Sequence, residues 1–253
     1  MIILNRSRRF VARFAAALCT LTGPMAAAEA TPPPPTLPAA TSVFLAKFVD
    51  TDGNVNYAAI KRNPLELQGL LKRVAAFDAA TASPADRKAF YLNAYNLLVI
   101  GEVVVRYPIE SVQKVPGFFD KNLVSVAGEQ LTLNDLESKK LRQPYADPRV
   151  HFALVCGAKG CPRLRRAAYE SNSLDAQLTI QAQKGLLDPT FIRVDDKGHK
   201  VQISQIFKWY EADFKTSGKT GVAYINQFRE GKKIPTSYAV SYYPYDWTLN
   251  SQK

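Results

Sequence analysis

Histidine occurs twice in these 253 residues, cysteine three times, and methionine and tryptophan twice each. So few cysteines exclude a disulfide framework, which small exported domains need and a chain this long does not. Two histidines leave one good candidate for a general base. His199 falls at the glycine turn of "DDKGHK" and reads as exposed and idle, which leaves His151. No C-x-x-C pair is present, no long basic run interleaves with aromatics, and no segment repeats at a fixed period. These gaps argue against a zinc ribbon, a nucleic-acid-binding domain and a solenoid. No cofactor and no bound metal is expected.

What is present begins with a basic and then apolar N-terminus. "NRSRRFVAR" leads into "FAAALCTLTGPMAAA", an apolar run too short for a spanning helix of roughly 20 residues. "AEA" then offers small residues to a signal peptidase. Residues 1–30 read as a signal peptide, and the protein as periplasmic or secreted. Its removal takes four arginines and one glutamate from totals of 33 basic and 22 acidic residues, leaving 29 and 21, net +8. In an exported protein that charge favours anionic envelope surfaces, with a peptide or cell-envelope component as partner, over nucleic acid. "TPPPPTLPAA", residues 31–40, reads as a proline-rich linker. Residues 41–253 read as a single domain.

Within that domain "TSVFLAKFV" and "PLELQGLLKRVAAF" have helical periodicity, and "DTDGNVNY" between them reads as a tight turn. Ser83-Pro84 opens a further helix with a cap and a proline in the first turn. Its run "AFYLNAYNLLVIGEVVVRYP" is apolar nearly all round and should lie at the centre of the fold. Asn93 and Asn96, three apart on that helix, share a face. Buried amides need partners, either nearby backbone or a site they orient. "LVSVAGEQLTL" reads as a hairpin around Gly128. "TLNDLESKKLRQ" reads as a helix capped by Thr132, with Glu137 projecting among the leucines of its apolar side. A carboxylate there needs a structural bond or a chemical role. "RVHFALVC" has the composition of an interior strand. "SLDAQLTIQAQKGLL" is helical, and "FIRVDDKGHKVQI" is a hairpin. "ISQIFKWYEADF" is a helix whose Trp209 falls off the apolar stripe and needs a second environment. "TGVAYINQFREG" is a last helix, and "YAVSYYPYDWTLN" a strand with an aromatic tail. The sum is an α+β fold, with several helices packed around a small, mainly antiparallel sheet.

"VHFALVCGAKGCPRL" carries the chemistry. A cysteine attacks as its thiolate and needs a base or positive charge nearby. Cys156 would be the nucleophile and His151 its base, oriented by Glu137, with Asn93 or Asn96 bonding the histidine or a developing oxyanion. On a straight strand His151 and Cys156 point to opposite faces, so they meet only if the chain turns near Gly157. Competing readings of the same stretch are a zinc site at His151, Cys156 and Cys161, a redox or structural disulfide, and a core histidine beside a small buried thiol.

Several segments together resemble the domain of unknown function DUF547. These are "NVNYAAI", "AFYLNAYNLLVI", "LTLNDLESKKLR", "DPRVHFALVCGAKGCPRL", "IFKWYEADF" and "YDWTLN". The resemblance singles out Asn93, Asn96, Glu137, His151 and Cys156, and gives Cys161 a lesser place. Likeness to papain-like or transglutaminase-like thiol enzymes is an analogy of fold. The expected activity is a cysteine-dependent hydrolase or acyltransferase acting on amide or ester bonds. The alternative is a non-catalytic envelope binding or scaffold module.

Overall fold

The structure is a computed structural model that describes residues 34–216, 221–229 and 231–252. The signal-peptide expectation for residues 1–30 therefore lies outside the described residues. Helix α1 (Leu37–Phe48) starts earlier than the linker expectation allowed: Thr36 caps it by accepting from the Ala39 N–H at 3.3 Å. The "DTDGNVNY" turn closes on Asp50, whose Oδ1 accepts from the N–H groups of Asp52 and Asn54 at 2.9 Å each. Helices α2 (Tyr57–Arg62) and α3 (Leu65–Ala75) follow.

Helix α4 (Pro84–Arg106) is capped by Ser83, which accepts from the Asp86 N–H at 3.1 Å, and is buried along most of Ala89–Val104. It is long and apolar enough to cross a membrane, but 83% of that apolar window is covered by the protein's own fold. Its face is packed by α1, α2, α3 and the segments after it, which together make the larger of two cores.

Strands β1 (Val124–Val126) and β2 (Glu129–Leu131) form the expected hairpin, with Ala127 and Gly128 at positive φ in the turn. The helix capped by Thr132 departs from expectation. It begins as α5 (Leu133–Asp135), widens into a π-helical segment over Leu136–Arg142, and ends in a single turn, α6 (Gln143–Tyr145). Such wide turns re-aim side chains and recur at functional sites; this one carries Glu137.

The expected strand at "RVHFALVC" is not a strand. Asp147 Oδ1 accepts from the Arg149 N–H at 3.0 Å, and the carbonyls of Asp147, Pro148 and Arg149 each take the N–H three residues on. The result is a short helix, α7 (Val150–Ala153), followed by extended chain. β-propensity reflects fit to a half-buried sheet surface; among the described residues no strand pairs with this segment, and the Asp-Pro start favours a helical turn.

Helix α8 (Leu174–Leu187) leads into a three-stranded sheet of β3 (Ile192–Asp195), β4 (Lys200–Ile203) and β5 (Ala239–Tyr242). β3 and β4 are antiparallel with Ile192 opposite Ile203; β4 and β5 are parallel with Val201 opposite Val240. The helix expected at "ISQIFKWYEADF" breaks at Tyr210 into α9 (Ile206–Trp209) and α10 (Glu211–Thr216), and α11 (Gly221–Gln227) follows. These elements with the sheet enclose the smaller core. Helix α7 joins the two cores: Val150 and Ala153 belong to the larger, Phe152 to the smaller. His151 sits between them, 4% exposed.

Candidate active site

The residues that carry chemistry meet in one cavity of about 300 Å³. Glu137 reaches it from the π-helical segment, His151 from α7, and Cys156 and Cys161 from the loop beyond. Trp209 and Tyr210 line it at the break between α9 and α10, and Tyr245 and Trp247 from the C-terminal tail. The second environment that Trp209 requires is this aromatic wall: its ring is 4.9 Å from that of Tyr245 and 5.7 Å from that of Trp247.

The thiol loop is shaped by glycine and held by the tail. Gly157, at φ +83°, turns the chain out of its extended run. Beyond it the N–H groups of Lys159 and Gly160 each donate to the tail at 2.8 Å, to Thr248 O and Asp246 O, and the Asn250 N–H donates back to Gly157 O at 3.1 Å. Tail and loop fix each other, and the tail is anchored in turn by the Tyr57 hydroxyl donating to Asn250 Oδ1 at 2.7 Å. A Cβ on Gly160 would come within 2.9 Å of the Tyr245 ring, so glycine permits the close approach.

This loop folds Cys161 back on Cys156. Both are free thiols, with sulfurs 2.6 Å apart. The Cys156 N–H and the Tyr245 hydroxyl each donate to Cys161 Sγ at 3.1 Å, while Tyr245 stands 3.4 Å from Cys156 Sγ. Burial opposes charge on Cys161, but the Cys156 thiol, the Tyr245 hydroxyl and the N–H groups of Ala158 and Cys156 outweigh it and lower that thiol. Cys156 is pushed the opposite way, by its bond to Cys161 and by burial.

His151 is oriented by Asp213, a residue that the sequence reading did not select. Its Nε2 lies 2.7 Å from Asp213 Oδ2, and its ring stacks on Tyr210 with centroids 3.9 Å apart. Arg142 donates to both oxygens of Asp213, at 2.6 and 3.1 Å. Burial raises the Asp213 carboxyl, but the bonds from His151 and Arg142 outweigh it and hold it well below the usual carboxylate range. The signal was present: Asp213 stands three residues after Tyr210 and one before Phe214, an acid set among the apolar stripe of its helix.

The expected orienting role of Glu137 is corrected accordingly. Glu137 lines the cavity beside Tyr210, whose hydroxyl burial and the nearby Glu137 push well above its ordinary value. Asn93 and Asn96 are not brought to the cavity. Asn93 Nδ2 donates to Tyr169 O and its Oδ1 accepts from the Tyr169 N–H, both at 2.8 Å. Asn96 Nδ2 donates to Ala153 O at 3.0 Å and its Oδ1 accepts from the Val155 N–H at 2.9 Å. Each clamps a stretch of chain onto α4, and Asn96 holds the segment between His151 and Cys156. No hydrogen bond joins His151 to Cys156 among the described residues. Nor does any group of three or more metal-ligating side chains cluster among them.

No curated protein and no solved structure matches the chain. Residues 79–184 match the model of a family described as a protein of unknown function, DUF547. That span takes in α4, the β1–β2 hairpin, the π-helical segment, α7, both cysteines and most of α8. The glutamate, histidine and cysteines of the cavity thus all fall within the span that matches the DUF547 family model.

Proposed function

We propose that this protein is a thiol-dependent hydrolase or acyltransferase of amide or ester bonds, working in the periplasm or outside the cell. One observation carries the reading: a pair of close thiols and an imidazole held by a half-buried carboxylate line the same cavity. A thiolate, a positioned acid–base and an apolar pocket are the parts that acyl transfer needs. His151 would take the proton of one thiol of the pair, and that sulfur would add to the carbonyl carbon. As the S–C bond forms and the C–N or C–O bond breaks, the leaving group departs with its electron pair and takes a proton from the His151 imidazolium. Water, or an acceptor amine or alcohol, then attacks the thioester and returns a proton to His151, and the thiolate leaves. The aromatic walls would hold an apolar acyl group and exclude bulk water.

An activated ester such as p-nitrophenyl acetate tests this directly. The reduced protein should release p-nitrophenol and gain one acetyl group by intact mass. Both should vanish in Cys156→Ser/Cys161→Ser and fall at least about 100-fold in His151→Ala, the lower end of the range for a positioned acid–base group. Wild-type release no faster than that of the double variant would end the reading.

The backbone clamps of Asn93 and Asn96 favour a second reading, a non-catalytic envelope module in which the polar residues serve the fold. Under it, both variants would leave every measured property but stability unchanged.

A further inference from the structure

Among the described residues Cys161 is the one that lines two spaces, the apolar cavity and a larger cleft of about 770 Å³. The cleft is basic. Lys159, Arg163, Arg165, Arg166, Lys184 and Arg193 line it, against Asp52, Asp188 and Asp246. Arg163 takes up two of those acids, at 2.8 Å from Asp52 and 3.5 Å from Asp188. The Asp246 carboxylate accepts from the Thr248 N–H at 2.9 Å within the tail. The remaining five cations have no carboxylate in ion-pair contact among the described residues. A concave wall with excess charge of one sign concentrates ligands of the other. Arg163 is thus neutralised within the fold, and the excess charge lies on the other five.

The hydrogen bonds around the thiol pair are uneven in the same direction. A backbone N–H and a tyrosine hydroxyl both donate to Cys161 Sγ, at 3.1 Å each. Donors aimed at a sulfur favour its thiolate.

We propose that Cys161 is the sulfur that attacks, and that the basic cleft seats a carboxylate-bearing part of the substrate whose acyl group enters the apolar cavity. This rests on the thiol-dependent reading above. Cys161 gives its proton to His151 and attacks as the thiolate; the new S–C bond forms, the C–N or C–O bond breaks, the leaving group departs with its electron pair and takes that proton from His151, and Cys156 keeps its own proton throughout.

Two alkylating probes separate the possible failures. Reduced protein is treated at pH 7 with neutral iodoacetamide or anionic iodoacetate, each forming an S–C bond with loss of iodide, and the labelled cysteine is identified by peptide mass. Cys161 should react at least about tenfold faster than Cys156, the equivalent of one pKa unit between them. The iodoacetate-to-iodoacetamide rate ratio should exceed that of glutathione about threefold at low salt and fall toward it at high salt, where charges are screened. Lys159→Gln/Lys184→Gln, two exposed changes, should also lower the ratio while leaving iodoacetamide labelling in place. Faster labelling of Cys156 would overturn the assignment of the attacking sulfur. Labelling at Cys161 with a ratio equal to that of glutathione would overturn the carboxylate subsite. Labelling of both thiols no faster than glutathione would overturn the thiol-dependent reading itself.

Discussion

Asp213 sets the character of the site more than any cysteine does. It holds His151 at 2.7 Å and is itself gripped by both donors of Arg142, so the imidazole has one orientation and a fixed negative neighbour. Asp213→Asn keeps the shape and removes the charge. The account expects ester cleavage to fall about 100-fold, at the lower end of what a positioned acid–base group contributes, and circular dichroism to stay unchanged. Glu137→Gln acts one step further out, through the Tyr210 ring that supports the imidazole. Its expected loss is smaller than that of Asp213→Asn, and the order of the two variants in a rate assay checks the assignment. The sequence pointed to Glu137 because a carboxylate on a leucine-lined helix face stands out. Asp213 stands out in the same way on its own helix, but a residue 62 positions from His151 declares its partner only after folding.

At the scale of elements, the site depends on pieces that bend where regular structure would run straight. The loop over residues 157–160 is held between the tail and the ring of Tyr245, with Gly160 flat against that ring. Gly160→Ala would drive a Cβ to 2.9 Å from ring carbons. We expect a loss of about 1–3 kcal/mol in urea unfolding, as for an overpacked contact, and slower alkylation of Cys161 as Tyr245 is displaced. A full rate with unchanged stability would show that ring and loop are not coupled. Most elements were legible from periodicity and caps: the Ser83 start of α4, the Gly128 hairpin, α8 and the β3–β4 hairpin follow local rules. The misses share a cause. "RVHFALVC" has strand composition but an Asp-Pro start, and among the described residues no strand pairs with it, so α7 forms. The Thr132 helix takes a π-helical course and the "ISQIFKWYEADF" helix breaks at Tyr210, both beside the cavity. Local sequence rules describe elements that answer to their own neighbours, and these answer to packing across the cavity.

At the scale of the whole molecule, α7 couples two cores, and charge secures its entry. Asp147, just before α7, bonds Lys88 of α4 at 2.7 Å and Arg149 at 2.9 Å, and Arg149 reaches Asp175 of α8 at 2.8 Å. Burial raises the Asp147 carboxyl, but Arg149 and Lys88 outweigh it and bring it from 3.8 down to about 2. Because the folded value lies below the unfolded one, its contribution is fully present above about pH 4 and is lost as pH falls through about 2. At 12% side-chain exposure the gain is little screened, and the shift corresponds to about 2 kcal/mol. Asp147→Asn should cost that much near pH 7 and flatten the loss of stability between pH 4 and 2. Chemical unfolding at several pH values measures both. An unchanged pH profile would mean that the charge bridge between α4, α7 and α8 does not stabilise the fold.

The central claim is that an imidazole and a thiol pair sharing one cavity make a reactive sulfur. The most direct measurement is the pH dependence of iodoacetamide alkylation of the reduced protein, with His151→Ala beside it. The account predicts a wild-type midpoint below the value of about 8.5 for an unperturbed thiol, and a return toward that value in His151→Ala. A wild-type midpoint at or above 8.5, with no response to loss of the imidazole, would contradict it.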